Sequence, residues 1–214
     1  VDEVERLSTM TDNTLQLARL DADGVQLTKD WESMEELIGS AAARTRSRYP
    51  DVRLALRIEP HLPLLRCDAQ LVRQLLDNLI DNAVKYGGSQ QTVEIVARNL
   101  ESNLLLSVGD RGPGIPAPLR ERMFQMFERG VHSSTTSDEG TPRGAGLGLA
   151  LCRAIVAAHG GSIQARQRQR GDQRTQFGTR RNMAQRKIFK HRHVEQGQRF
   201  GAEDVAAIGL GREA

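Results

Sequence analysis

The chain has 214 residues, with 30 Lys and Arg against 27 Asp and Glu, enough to bury one ordinary core with an appendage. The basic excess is local: residues 166–214 hold 12 basic and 5 acidic residues, leaving 18 and 22 in residues 1–165, so the body is mildly acidic and no nucleic-acid partner is expected. Two distant cysteines, Cys67 and Cys152, lack metal-ligand spacing, so neither a zinc site nor a disulfide framework is indicated and a reducing, cytoplasmic setting is expected. No apolar run reaches the ~20 residues of a bilayer span, and no signal-peptide pattern opens the chain. It begins at Val1 inside a helical pattern and reads as a fragment of something longer.

Residues 3–20 lack Gly and Pro and keep Val4, Leu7, Met10, Leu17 and Leu20 on a helical stripe, with Gly24 as a stop. A second helix is expected from Trp31 to Arg48, closed by Tyr49-Pro50. "DVRLALRIE" then alternates Val52, Leu54, Leu56 and Ile58 with polar neighbours, which predicts a half-buried strand. Asp68 caps a helix over 69–86. Strands follow at 92–98 and 104–110, then a short helix at 119–128 and a hydroxyl-rich loop at 130–143. A glycine-led helix ends at Gly160-Gly161. Strands with helices gathered on one side predict an α+β fold, a two-layer α/β sandwich.

Three stretches carry the chemistry. In "DNLIDNAVKYG", Asn82 lies about 40° around the helix from Asn78 and Lys85 about 20° to the other side, while Val72, Leu76, Leu79, Ile80 and Ala83 take the far arc. One face is greasy; the other suits a phosphate chain with magnesium, or solvent. In "GDRGPGIP", Asp110 at a strand end can accept from an exocyclic amine, and Gly112 and Gly114 let backbone pass near a flat ring; a plain Gly-Pro turn accounts for the stretch equally well. In "RGAGLGLA", Gly144, Gly146 and Gly148 lead into a helix N-terminus, an anion site in the making. It follows no strand and lacks the P-loop spacing, so neither a Rossmann fold nor a P-loop is indicated. Between them, Phe124 and Phe127 share a face of "MFQMFERG", a pairing usual in cores, and Arg129 follows at the loop entrance.

In order and spacing these stretches resemble the ATP-binding domain of bacterial sensor histidine kinases, within the fold shared with gyrase-type, heat-shock-chaperone and mismatch-repair ATPases. "NLIDNAVKYG" is similar to the family's N box, "DRGPGIP" to its first glycine box, "FQMFERG" to its F box and "GAGLGLALCRAIVAAHGG" to its second glycine box. "TDNTLQLARLDADG", "WESMEELIGSA" and "LPLLRCDAQL" resemble the potassium-responsive, Kdp-type members. The resemblance implies residues 1–24 as the second helix of a dimerisation hairpin, 25–177 as the ATP-binding domain, and 178–214 as a basic tail outside the pattern. It implies Asn82 as a Mg2+ ligand with Asn78 one turn earlier, and Lys85 and Tyr86 lining the nucleotide. Asp110 would take the adenine amine beside Gly112, Gly114 and Ile115. Phe124 and Phe127 would anchor a lid, Arg129 would contact phosphate, and Gly144, Gly146, Leu147 and Gly148 would shape the lid hinge. It further implies ATP as the nucleotide, a response-regulator receiver domain as partner, a homodimer through the hairpin, potassium or osmotic sensing, and an inner-membrane anchor elsewhere in the full-length protein.

The hydrolytic relatives in that fold place a Glu where this chain has Asn78, which cannot act as a general base. The site is therefore expected to hold ATP for another nucleophile. In the family this is a hairpin histidine, and none of His61, His132, His159, His191 and His193 sits in such a setting. An anti-sigma-type Ser/Thr kinase and a non-catalytic ATP-binding remnant are the competing expectations. The second draws on the tail, where "TQF" starts a closing strand and "GTRRNMAQRKIFKHRH" then loses alternation. That stretch reads as a genuine extension or as a shifted frame.

Overall fold

The computed structural model describes residues 2–21, 26–87, 92–100, 103–126, 146–167 and 173–179. Among these the alternating and helical patterns resolve into seven strands and five helices. In chain order they are α1 (Asp2–Asp21), β1 (Asp30–Glu32), α2 (Met34–Arg48), β2 (Arg53–Ile58), β3 (Leu65–Cys67) and α3 (Ala69–Tyr86). Then come β4 (Thr92–Leu100), β5 (Asn103–Asp110), α4 (Leu119–Arg122), α5 (Gly148–Ala158), β6 (Gly161–Gln167) and β7 (Gln173–Thr179).

Five strands form a mixed sheet in the order β2-β4-β5-β7-β6, in which β2 and β4 run parallel and the other neighbours antiparallel. Its register aligns Leu54 with Val93, Leu56 with Ile95 and Ile58 with Ala97. Ile95 then faces Val108, and Ala97 faces Leu106. Strand side chains alternate, so these residues share one face, and the helices cover it. α3 contributes Leu71, Val72, Leu75, Leu76, Leu79, Ile80 and Ala83 to the same core, and α5 contributes Leu151, Cys152, Ile155 and Val156. Each fully buried Leu or Ile is worth about 1.5–3 kcal/mol of apolar transfer, so this inner face fixes which side of α3 is left to face outward. The two-layer α+β sandwich is as expected. No described helix is long and apolar enough to cross a membrane.

Local chemistry sets the helix ends. Asp68 Oδ1 accepts from the N–H groups of Gln70 and Leu71 at 3.1 and 3.2 Å, capping α3. α1 lies on α5. Leu17 and Asn13 are buried, and Gln74 Nε2 reaches Asn13 Oδ1 at 3.5 Å, while Val4, Leu7 and Leu15 stay exposed. The expected stripe on α1 is thus divided: Met10, Leu17 and Leu20 pack against the core, and Val4 and Leu7 do not.

Two expectations need correction. The second helix starts at Met34 and not at Trp31, because Ser33 Oγ accepts from Glu36 N–H at 3.3 Å and caps it there. Trp31 instead pairs with Arg66 in a two-stranded β1–β3 sheet that the short, irregular stretches around it do not reveal. The helix expected at 119–128 is a single turn, α4, followed by turns to Met126; its N-cap is Pro118, which offers no capping side chain. The loop at 130–143 and the tail beyond Thr179 lie outside the described residues.

Candidate functional site

α3 presents its outward face where the sequence placed it. Asn78 and Asn82 are half-buried, and Lys85 and Tyr86 are exposed at the helix end. The start of α5 comes down on this face. A Cβ built on Gly148 would stand 3.3 Å from Asn78 Oδ1 and 4.0 Å from Asn82 Nδ2, so only a hydrogen at this position leaves the amides undisturbed. The Asn78 amide nitrogen is the one buried side-chain nitrogen or oxygen without a hydrogen-bond partner among the described residues. Leaving such a donor unpaired costs about 1–3 kcal/mol, which an acceptor arriving at the site would recover.

α5 adds backbone donors. Its N-cap, Leu147, has no side-chain capping bond, and no acidic residue lies in the first turn. The first N–H groups of a helix lack intrahelical partners and sit at the positive end of its dipole. An unpaired amide N–H₂ beside an uncapped helix start is chemistry for an anion. The Leu147 side chain itself is in the core, 1% exposed, so its place at the site is through its backbone.

The C-terminal end of α3 meets the end of β5. Asp110 Oδ1 accepts from Gly112 N–H at 2.8 Å, which fixes the plane of the carboxylate at the strand terminus. A Cβ on Gly112 would strike the Tyr86 carbonyl oxygen and lie 2.9 Å from Asp110 Oδ1, so the turn can lie against α3 only with glycine there. Gly114 holds φ +97°, a left-handed conformation that favours glycine. Beyond it Arg120 Nε donates to the Ile115 carbonyl at 3.0 Å, tying the turn to α4. Phe124 is buried, and Gly146 has φ +72°. Phe127, Arg129 and Gly144 lie outside the described residues.

Residues 67–183 match the family described as histidine kinase-, DNA gyrase B- and HSP90-like ATPases. The chain belongs to this family. It is 38% identical to Sensor protein KdpD of Escherichia coli over 162 residues, which is 76% of this chain and 17% of that protein. It is 34% identical to the probable sensor histidine kinase TcrY of Mycobacterium tuberculosis over 161 residues, 75% of this chain and 33% of that one. The solved structure of full-length ShkA in complex with AMPPNP superposes with a TM-score of 0.70 at 26% identity, covering 82% of this chain and 36% of ShkA. The chain therefore spans less than half the length of each of these relatives.

Within this ATPase family chain the donor set fits a magnesium nucleotide. Among the described residues no cluster of three or more His, Cys, Asp or Glu could form a metal cage. Mg2+ on nucleotides characteristically takes one or two protein oxygens plus phosphate oxygens and water, and a neutral amide such as Asn82 can supply one. Both cysteines are free and buried; burial pushes the Cys67 thiol up to about 12 and raises Cys152 further, so neither offers a thiolate.

Sequence reasoning passed over two residues. Gly87, just past the helix expected at 69–86, is buried, and a Cβ there would meet the Ala83 carbonyl oxygen and stand 3.3 Å from Asp110 Cβ. A glycine directly after the Lys-Tyr pair was the available signal. His159 ends α5 ahead of Gly160-Gly161, but it is also buried and bridges two helices. Its Nε2 accepts from Asp68 N–H at 3.0 Å, and its Nδ1 lies 2.8 Å from the Ile155 carbonyl, a pattern that fits the Nδ1–H tautomer. Burial lowers its pKa, partly offset by the bond to Ile155.

Proposed function

We propose that the chain is the ATP-binding catalytic portion of a two-component sensor histidine kinase. It would hold Mg-ATP and pass the γ-phosphoryl group to a histidine on a hairpin helix outside this chain, for relay to an aspartate of a response-regulator receiver domain. The observation that carries the reading is the junction of Gly148 with Asn78 and Asn82, where an unpaired amide donor and an uncapped helix start converge. Asp110 and its glycine turn, one to two helical turns further along at the C-terminal end of α3, suit the adenine amine and ring.

The division of labour follows from residue chemistry. Asp110 would orient the base, Asn78 Nδ2 and the α5 N–H groups would bind phosphate oxygens, and Lys85 and Arg129 would add positive charge. Magnesium, when bound through Asn82, would neutralise charge on the β- and γ-phosphates. Phosphoryl transfer to nitrogen breaks the bond from the γ-phosphorus to the β,γ-bridging oxygen, forms a phosphorus–nitrogen bond and releases ADP; the protein's contribution is mostly positioning and charge stabilisation. Asn78 cannot take a proton from water at neutral pH, which favours transfer over hydrolysis.

α1, taken here as the second hairpin helix, leaves Val4, Leu7 and Leu15 exposed, which supports a face kept for the rest of a dimeric hairpin. Residues 25–177 would be the nucleotide domain and 178–214 a tail outside it. The 38% identity to KdpD and the Kdp-type phrases support a potassium or osmotic signal. This segment would work on the cytoplasmic side of an inner-membrane protein. The test is to add a separately expressed hairpin carrying its histidine, supply radiolabelled ATP, and look for acid-labile, base-stable phosphate on the hairpin. Label on serine or threonine of a partner, or steady ATP hydrolysis without a histidine substrate, would overturn the assignment.

A further inference from the structure

α3 carries a second polar edge, one residue ahead of the asparagines: Asp77 precedes Asn78 and Asp81 precedes Asn82. α2 engages both carboxylates. Arg44 Nη2 donates to Asp77 Oδ1 and Oδ2 at 2.8 and 3.1 Å, and Arg44 Nη1 also donates to Ser40 Oγ at 2.8 Å. Arg48 Nη1 donates to Asp81 Oδ2 at 3.1 Å, and the Tyr49 hydroxyl donates to Asp81 Oδ1 at 3.2 Å. The Arg48 guanidinium lies over the Tyr49 ring, 5.3 Å from its centre.

The spacing matters more than any single pair. Arg44 and Arg48 are one turn apart on α2, and Asp77 and Asp81 are one turn apart on α3, so the helices run in the same direction with two rungs in register. Turning α3 by one residue, about 100°, breaks both rungs, and sliding it along its axis strains them. Exposed ion pairs contribute little to global stability, and these are open to solvent, with side-chain exposures of 42% and 46% in one rung and 67% and 25% in the other. The apolar contacts of Leu37, Ile38 and Ala41 already hold α2 in the core. What two polar rungs add to a greasy contact is a fixed rotation and a fixed height of α3.

We propose that Arg44, Arg48 and Tyr49 are positioning residues that, through Asp77 and Asp81, hold α3 at the rotation presenting Asn78 and Asn82 to the phosphate and magnesium end of the nucleotide. The inference rests on the nucleotide reading above and deepens it. The adenine end rests on Asp110 of β5, outside the ladder. The ladder therefore acts on one end of the ligand only, and that asymmetry is the readout.

The experiment measures the affinities of Mg-ATP and of adenosine for the full chain by calorimetry, with thermal unfolding alongside. Asp77→Asn with Asp81→Asn is expected to weaken Mg-ATP about five-fold and to leave adenosine unchanged. Asp77→Arg alone should lose Mg-ATP affinity, and adding Arg44→Asp should restore it by rebuilding the rung in reverse. Tyr49→Phe, which keeps the ring under Arg48 and deletes one hydroxyl, should give the same split at smaller size even if the double variant fails to fold. Equal losses for both ligands, tracking the fall in Tm, would reduce the ladder to ordinary structure and overturn the proposal. Variants that bind Mg-ATP like a binding-competent parent would remove the positioning role alone. A parent chain that binds neither ligand would remove the nucleotide reading and this proposal with it.

Discussion

Gly148→Ala sets stability against binding. Alanine favours helix over glycine by about 0.4–1 kcal/mol where the backbone accepts it, and Gly148 opens α5 with no positive φ to forbid a side chain. The new methyl would stand 3.3 Å from Asn78 Oδ1, inside ordinary van der Waals contact, so the amide must give by a few tenths of an ångström. That shift turns the unpaired Nδ2 away from its ligand and lays a methyl beside the first N–H groups of α5. A hydrogen bond to a charged acceptor is worth about 1.5–3 kcal/mol. Bending it while keeping it should cost on the order of 1 kcal/mol, about five-fold in affinity.

The expected result is a Tm equal to or above that of the parent, with Mg-ATP bound about five-fold more weakly. Calorimetric titration and thermal unfolding on the same preparation read both arms. Unchanged affinity beside a raised Tm would mean that nothing binds between Gly148 and Asn78, and the candidate site would be ordinary helix packing. A fall in Tm would show that the amide cannot move, and the cost would then be structural.

Asn82→Ala should abolish the magnesium-dependent part of ATP affinity with the fold intact, since the side chain lies off the core arc; equal ATP binding with and without Mg2+ in the parent would sink it. Asp110→Asn should weaken adenosine and ATP while sparing inorganic triphosphate, and a matching loss for triphosphate would argue against base recognition. Asn78→Glu adds a carboxylate where the parent has an amide, and a positioned base contributes about 10²–10⁴-fold, so slow ATP hydrolysis should appear in the variant alone. His159 has a pKa lowered from its ordinary 6.5 by burial, so the unfolded chain binds the proton more readily. Its contribution to stability should be full above about pH 6.5 and shrink as pH falls below that. Urea unfolding of parent and His159→Gln should therefore converge toward acid, and a constant gap from pH 7.5 to 5.5 would refute the linkage.

The sandwich was legible because period and composition agreed. α3 has a wide apolar arc and an Asp cap, and β2 alternates cleanly, so tertiary packing had only one face of each to bury. β1 and β3 were not legible: three residues each, they form only through pairing with one another across α2 and β2, and no local pattern encodes that. At the site, Asn78 and Asn82 declared themselves by being polar in an apolar helix, and Asp110 by ending a strand before glycines. Gly87 and His159 stayed hidden for one reason. Each has a sufficient local explanation as a helix-end residue, while its second role depends on a neighbour far away in sequence, Asp110 for one and Asp68 for the other.

The two ends of α3 are held by different means, and this bears on what the site can do. At its start, Asp68 caps α3 and its backbone N–H reaches His159 at the end of α5, so the two helices are joined there as well as where Gly148 lies on Asn78. At its end, Gly87 and Gly112 let the β5 turn close on Tyr86 without an intervening side chain. A ligand lying along α3 from Asn78 to Tyr86 would meet a face whose geometry is set before it arrives, so little of its binding energy need go into ordering the protein. On the proposed reading this preorganised cradle has a neutral amide at the one position where a carboxylate would activate water. Binding without activation keeps the γ-phosphoryl group intact until a nucleophile docks, so the choice of acceptor would lie with the docking surface and not with the cradle.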